Sequence, residues 1–278
     1  MQYSTFAAID IGSYDVILEI FEISKKQGIR SVDKICHRME LGKDTYTLGK
    51  IRPEMEEELC RVLADFVRIM EGYRVDDYRA TASSAISEAS NSLYVLGKIH
   101  QLTGLSVTVL SNSEQRFLSY KALAAMEDNF NKIIEKGTAI LDLDGGSFQI
   151  SLFDKDALVT TQNIRMGSLR IRERLAGIQS ETEHYEEMVE ELIWNEVSSF
   201  KKMYLKDRKI ENIMLIGDVF TDSVYQNIEE KTTKIISREN FNTWYEKIIR
   251  QSPMELAVKL GIPLENASLM YPSAVIYK

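Results

Sequence analysis

The same pattern of apolar and polar positions occurs twice along the chain. "AAIDIGSYDVILEIF" at residues 7–21 and "AILDLDGGSFQISLF" at residues 139–153 each place two short apolar runs around a turn of glycine and serine. In the first, Val16, Leu18 and Ile20 alternate with Ile17 and Glu19. That period of two predicts a strand buried on at least one face. Strands are therefore expected at 6–11, 15–23 and 29–40. The pattern then changes to a helical one in "RPEMEEELCRVLADFVRIMEG", where Met55, Leu59, Val62, Leu63, Phe66, Val67 and Met70 form one stripe. Pro53 suits the first turn of that helix, Glu54, Glu56, Glu57 and Glu58 suit its positive end, and Gly72 is a natural stop. Further strands are expected at 76–81, 105–110, 138–143, 147–153, 156–163 and 212–217. Helices are expected at about 91–102, 113–126 and 182–204, the last with Tyr185, Met188, Val189, Leu192, Ile193, Val197 and Phe200 on one face. Helices should dominate the remainder.

The repeated unit recurs after about 130 residues, too long a period for a solenoid. It predicts two similar α/β domains, mixed sheets flanked by helices, facing each other across an interdomain cleft. Polar "NFNKIIEKG" leads into the second unit, so a boundary near 125 is expected, giving domains 1–125 and 126–278. Asp10 stands opposite Asp142 and Ser13 opposite Ser147, with Val16 and Leu18 matching Ile150 and Leu152.

Composition narrows the class. Apolar residues make up 44% and charged residues 27%, so a packed core is expected rather than disorder. A net charge of −8 argues against a general nucleic-acid binder. Cys36 and Cys60 read as free thiols in a reducing compartment. There is no apolar, small-residue signal at the start and no run near the ~20 residues of a membrane span. A soluble cytoplasmic protein without nucleic-acid or membrane partners is expected. His37, His100 and His184 are scattered without metal-ligand spacing.

A glycine turn exposes backbone N–H groups and lets a bulky anion approach, so it can cradle phosphate without side-chain charge. Ser13 and Ser147 can add hydroxyls, and an aspartate at the end of the preceding strand can hold Mg²⁺ or orient water. Either turn alone would read as an ordinary hairpin; their duplication points to phosphate binding.

These residues resemble the actin, sugar kinase and Hsp70 superfamily, with its ribonuclease H-like domains, and within it the exopolyphosphatase and guanosine pentaphosphate phosphohydrolase (Ppx/GppA) family. "AAIDIGSYDVIL" and "ILDLDGGSFQI" are similar to its two phosphate motifs. "TASSAISEASN" at 81–91 resembles its Thr-Ser-Ala segment, "VLSNSEQRFLSY" at 109–120 the segment bearing its catalytic glutamate, and "RMGSLRIRERL" at 165–175 its Gly-x-x-Arg segment. "ASLMYPSAVIY" is similar to the end of the family core, so the extra C-terminal domain of longer members is not expected. The resemblance implies two actin-like domains and a phosphoanhydride hydrolase acting on inorganic polyphosphate or guanosine pentaphosphate, with a homodimer among its partner states. Glu114 aligns with the glutamate that activates the attacking water, and Asp142 with an acidic residue for water or metal. Gly12, Ser13, Gly145, Gly146 and Ser147 align with phosphate-cradling positions; Asp10 and Asp142, joined by Asp144, which is this chain's own addition, are the expected Mg²⁺ ligands.

The departures from the family fall on the site. Tyr14 and Asp15 replace Asn-Ser in the first motif. Asp144, Phe148 and Gln149 replace glycine, threonine and glutamate in the second. Ser87 stands where the family carries an arginine, Gln115 replaces an acidic position, and "IGDVF" stands for Gly-Gly-Thr. Added carboxylates repel a polyanion unless a cation bridges them. Arg165, Arg170, Arg172 and Arg174 can supply positive charge or form a solvated helix face. Two readings follow: a metal-dependent hydrolase, or a catalytically weakened relative that binds phosphate, nucleotide or a protein partner.

Overall fold

The computed structural model describes residues 3–126, 130–176, 185–206, 208–217 and 236–278, and the chain divides into two compact units, 1–115 and 116–278. In the first unit, β1 (Ser4–Ile11), β2 (Asp15–Ser24), β3 (Gly28–Arg38), β4 (Asp77–Ala82) and β5 (Val107–Val109) form one sheet in the order β3-β2-β1-β4-β5. β1, β2 and β3 pair antiparallel, whereas β4 lies parallel to β1 and β5 to β4. Ala7, Ile9 and Ile11 of β1 and Val16, Leu18 and Ile20 of β2 are buried on one face, as the alternation predicts. They pack with α2 (Pro53–Gly72), whose Leu59, Val62, Leu63, Phe66 and Met70 form the buried stripe, and with Val95 and Ile99 of α4 (Ser92–Thr103).

Two short helices of this unit were not expected from the pattern, α1 (Leu41–Leu48) and α3 (Ser84–Ser87). Tertiary bonds hold α1. Buried Asp44 accepts from the backbone and guanidinium of Arg52, and Thr45 Oγ1 donates to the Ala85 carbonyl at 2.7 Å. Asn91 is a bracket: its side chain exchanges hydrogen bonds with both backbone groups of Ile51 and donates to buried Glu56 at 2.8 Å.

In the second unit, β6 (Thr138–Leu143), β7 (Phe148–Asp154), β8 (Ala157–Ile164) and β9 (Asn212–Ile216) form a sheet in the order β8-β7-β6-β9. One face carries Ala139, Leu143, Phe148, Ile150 and Leu152. It packs against α7 (Ser168–Leu175), α8 (Tyr185–Phe200), α9 (Arg238–Ile249) and the long apolar α11 (Leu264–Tyr277). α10 (Pro253–Leu260) precedes α11 and starts with a capping box of Ser252 and Glu255. The other face carries Ile140 and Phe153, covered by α5 (Asn112–Met126) and α6 (Phe130–Glu135) through Tyr120, Leu123, Phe130 and Ile134. The sequence places the boundary near 125; the division lies between Gln115 and Arg116, at the other end of α5. From that point Arg116 reaches Thr161 at 3.2 Å and the Tyr120 hydroxyl bonds Ser151, so most of α5 belongs to the second sheet. The helix expected at 182–204 begins at Tyr185 and passes at Lys201 into a π-helical turn, Lys201–Leu205; residues 182–184, with His184, lie outside the described residues.

The repeat is visible in strand register. Ile11 pairs with Val16 and Leu143 with Phe148, so each turn encloses four residues. Each closes with the same bond: Gly12 N–H to the Asp15 carbonyl and Asp144 N–H to the Ser147 carbonyl, both at 2.9 Å. Asp10 and Asp142 occupy equivalent places, next to last in β1 and β6. The other matches shift by two residues. Ser13 corresponds to Gly145, not Ser147, and Val16 and Leu18 correspond to Phe148 and Ile150. Matching letters misplaced the serines because the turn's closing bond, not its composition, sets the frame.

Candidate active site

In the first unit, Asp10 is next to last in a strand that is central in its sheet. Asp10 is exposed, with protein crowded around its carboxyl. Desolvation, with the Asp15 charge second, pushes its pKa up to about 6 against an opposing hydrogen bond from Thr81. Gly12 follows in a turn so tight that a Cβ there would meet the Asp15 carbonyl at 2.9 Å. Ser13 is fully buried, and its hydroxyl lies 2.6 Å from the Tyr46 hydroxyl and 3.3 Å from Ser84 Oγ. Tyr46 and Ser84 close the triangle at 2.8 Å. The Ser13 hydroxyl is thus committed to the protein, and what this turn offers an anion is backbone. Arg38, the cross-strand partner of Asp15, lies over the Tyr14 ring at 5.0 Å, a positive group beside the turn that no motif singles out.

In the second unit, burial raises the pKa of Asp142, opposed by a hydrogen bond from Ser119 of α5. Asp144 turns its carboxylate back on its own turn: Oδ1 accepts from the Gly145 N–H at 2.6 Å. A backbone donor that the sequence assigns to phosphate is therefore already paired with an anion. Gly145 and Gly146 are buried and Ser147 half-buried. Arg170 Nε donates to the Gly146 carbonyl at 2.8 Å, and the Arg170 N–H to the Gly145 carbonyl at 2.9 Å. Gly167 lets α7 come this close, because a Cβ there would lie 2.2 Å from the Asp144 carbonyl. Arg172 bonds Glu173 and Ser268 Oγ, so Arg170 and Arg172 turn into the protein, while Arg165 and Arg174 are exposed. At the end of β9, Gly217 takes φ +79° beneath Leu143; residues 218–220 of "IGDVF" lie outside the described residues.

Gln149 is the cross-strand partner of Asp142, and Asn163 that of Gln149. Side chains opposite each other share a sheet face, so the three form one polar row. Among the described residues, the buried Gln149 Oε1 and Asn163 Oδ1 have no hydrogen-bond partner. Such atoms call for water or a cation. Mg²⁺ takes oxygen donors, one or two carboxylates and several waters, which suits Asp142 with Gln149. Among the described residues no three His, Cys, Asp or Glu side chains gather as a metal cage.

Glu114 lies in the first turn of α5 and is exposed. Its Oε2 accepts from the Ser111 N–H at 2.9 Å and from Ser111 Oγ at 2.7 Å, while its own N–H bonds back to Ser111 Oγ. This is a capping box. These bonds, and more weakly the charge of Arg79, lower its pKa. Ser87 is exposed at the end of α3.

A model of the Ppx/GppA phosphatase family matches residues 19–278. The chain belongs to the Ppx/GppA phosphatase family. The match starts after the first turn, so Asp10, Gly12 and Ser13 lie outside it. A bifunctional 3-dehydroquinate synthase/phosphatase of Fusobacterium nucleatum is 22% identical over 81% of this chain and 34% of its own length. Exopolyphosphatase 1 of Mycobacterium leprae is 25% identical over 51% of this chain and 41% of its own length. The chain thus spans well under half of these curated relatives. Among solved structures, an exopolyphosphatase from Cytophaga hutchinsonii superposes with a TM-score of 0.84 at 19% identity, covering 99% of this chain and 89% of that one. The Aquifex aeolicus Ppx/GppA family member gives 0.75 at 20% identity, again over 99% and 89%. These likenesses establish that the chain shares the α/β fold of these structures.

Proposed function

We propose that this Ppx/GppA protein is a slow, Mg²⁺-assisted hydrolase of terminal phosphoanhydride bonds, in inorganic polyphosphate or guanosine pentaphosphate. The observation that carries the reading is the equivalent placement of Asp10 and Asp142. Each stands next to last in a central strand before a turn closed in the same register, and each has its pKa raised chiefly by desolvation. Holding two partly desolvated carboxylates at corresponding positions costs stability that a merely structural hairpin has no need to lose.

In this reading water attacks the terminal phosphorus, the bridging P–O bond breaks, and one phosphate leaves with the water's oxygen. Asp142 holds and orients the water, and Glu114 receives its proton. The depressed pKa of Glu114 makes it a weak proton acceptor while Ser111 caps it. Mg²⁺, held by Asp142 with Gln149, by Asp10, or by Asp144 once it leaves Gly145, would offset the charge of the phosphate chain. A cytoplasmic site of action is part of the proposal.

One observation favours the second reading, a phosphate- or nucleotide-binding protein with weakened turnover: Asp144 occupies the Gly145 N–H. Phosphate release from long-chain polyphosphate with and without Mg²⁺ separates the two. Mg²⁺-dependent release supports the hydrolase. Binding without release supports the alternative.

A further inference from the structure

A cavity of about 600 Å³ lies in the second unit, at the opposite end of its sheet from Asp142. Gly137 on its wall immediately precedes β6 and is five residues from Asp142, about 16 Å at ~3.3 Å per residue. Its described wall comes from the end of α6, from the β7–β8 hairpin, and from residues 203–206 and 208–211. Their backbones are fixed against one another. The Lys155 N–H donates to the Glu135 carbonyl at 3.1 Å, and the Glu211 N–H to the Gly137 carbonyl at 2.7 Å. A Cβ at Gly137 would lie 2.1 Å from the Lys209 carbonyl. Lys155 and Asp156 adopt φ of +51° and +62°, unusual for residues with side chains, and π-helical turns recur at functional sites.

The lining combines positive charge with apolar surface. Among the described residues, Lys136, Lys155 and Lys206 line the cavity without an ion pair. Arg208 and Lys209 meet Asp154 and Glu211 only in exposed pairs at 3.4 and 3.3 Å, which a stronger anion displaces at small cost. With Glu135 as the third acid, the described lining carries five cations and three carboxylates, in a chain of net charge −8. Phe153, Val159, Tyr204 and Ile210 add apolar and aromatic wall. The volume is within the range of small-molecule sites.

We propose that this cavity is a binding site, separate from the candidate active site, for an organic polyanion that carries a flat ring, of the nucleoside polyphosphate class. The lysines meet the charges and the apolar wall takes the ring. The test is calorimetric titration of the full chain with ATP, and with inorganic tripolyphosphate as a probe lacking the ring. Three proteins are compared: wild type, the triple variant Lys136→Gln/Lys155→Asn/Lys206→Gln, and Met203→Glu. Asparagine at 155 tolerates the positive φ. Met203 is exposed at the rim, so Met203→Glu adds a repelling charge without touching the core. The expected result is ATP binding that weakens about 10-fold or more in both variants, the scale of losing a charge-assisted contact. Tripolyphosphate should bind this cavity more weakly than ATP, and phosphate release from polyphosphate should be unchanged in both variants. Failure of wild type to bind ATP, or equal ATP affinity in all three proteins, overturns the site. Tripolyphosphate as tight as ATP and equally sensitive to the variants overturns the role of the ring.

Discussion

Replacing Asp144 by glycine tests the second turn most sharply. In the wild type the Asp144 carboxylate holds the Gly145 N–H at 2.6 Å. An incoming phosphate must displace that bond, and a hydrogen bond to a charged group contributes about 1.5–3 kcal/mol net. It must also approach a like charge, at a cost of about 1–4 kcal/mol near 4 Å, depending on screening. Asp144 is only half-buried, so the low ends apply. Together they give about 2.5 kcal/mol, or roughly 60-fold tighter phosphate binding in Asp144→Gly. Folding stability should fall slightly, by about 1–2 kcal/mol, because a turn bond is lost and glycine adds unfolded-state entropy. The assay is titration of both proteins with phosphate and tripolyphosphate, each with and without Mg²⁺. Affinity that is unchanged in both conditions refutes the idea that this carboxylate competes with phosphate. Weaker binding only with Mg²⁺ also refutes it, and assigns Asp144 to the metal.

Three further outcomes are expected. Asp10 has its folded pKa raised to about 6 from 3.8, so the folded state binds this proton more tightly than the unfolded one. The stability it contributes is present below pH 3.8 and lost as pH rises through 6. Asp10→Asn should therefore melt higher than wild type above pH 6 and equally near pH 3.5; a difference that is independent of pH would contradict the desolvation of this charge. Gly167→Ala forces a methyl group against the Asp144–Ser147 backbone and should cost about 1–3 kcal/mol in denaturant unfolding; an unchanged midpoint would show that the turn does not depend on this approach. Gln149→Glu puts a second carboxylate across from Asp142, so it should lower the melting temperature without Mg²⁺ and recover it with Mg²⁺; loss without recovery would argue against a cation in the polar row.

Much of the fold was legible because long periodic segments determine it. The alternation of Val16, Leu18 and Ile20 and the stripe from Leu59 to Met70 correspond to buried faces. α1 was not legible: "LGKDTYTL" is poor in helix formers, and long-range bonds to Arg52 and Ala85 hold it. α7 is short and rich in arginine, and its place depends on Gly167 touching a turn more than twenty residues earlier. The two strand-end aspartates could be read from the repeat. The burial of the Ser13 hydroxyl could not, because Tyr46 and Ser84 come from distant segments. The cap on Glu114 could have been: Ser111-x-x-Glu114 is the local signature of a capping box.

The hydrolase reading is tested most directly by phosphate release from long-chain polyphosphate under Mg²⁺, comparing wild type, Glu114→Gln and Asp142→Asn. Glutamine keeps an oxygen for the Ser111 bonds, so Glu114→Gln removes the proton acceptor while leaving the helix capped. The account predicts slow, Mg²⁺-dependent release by the wild type, falling about 100-fold in each variant, the scale of a positioned acid or base. Release by the wild type no faster than by Glu114→Gln and Asp142→Asn would contradict it.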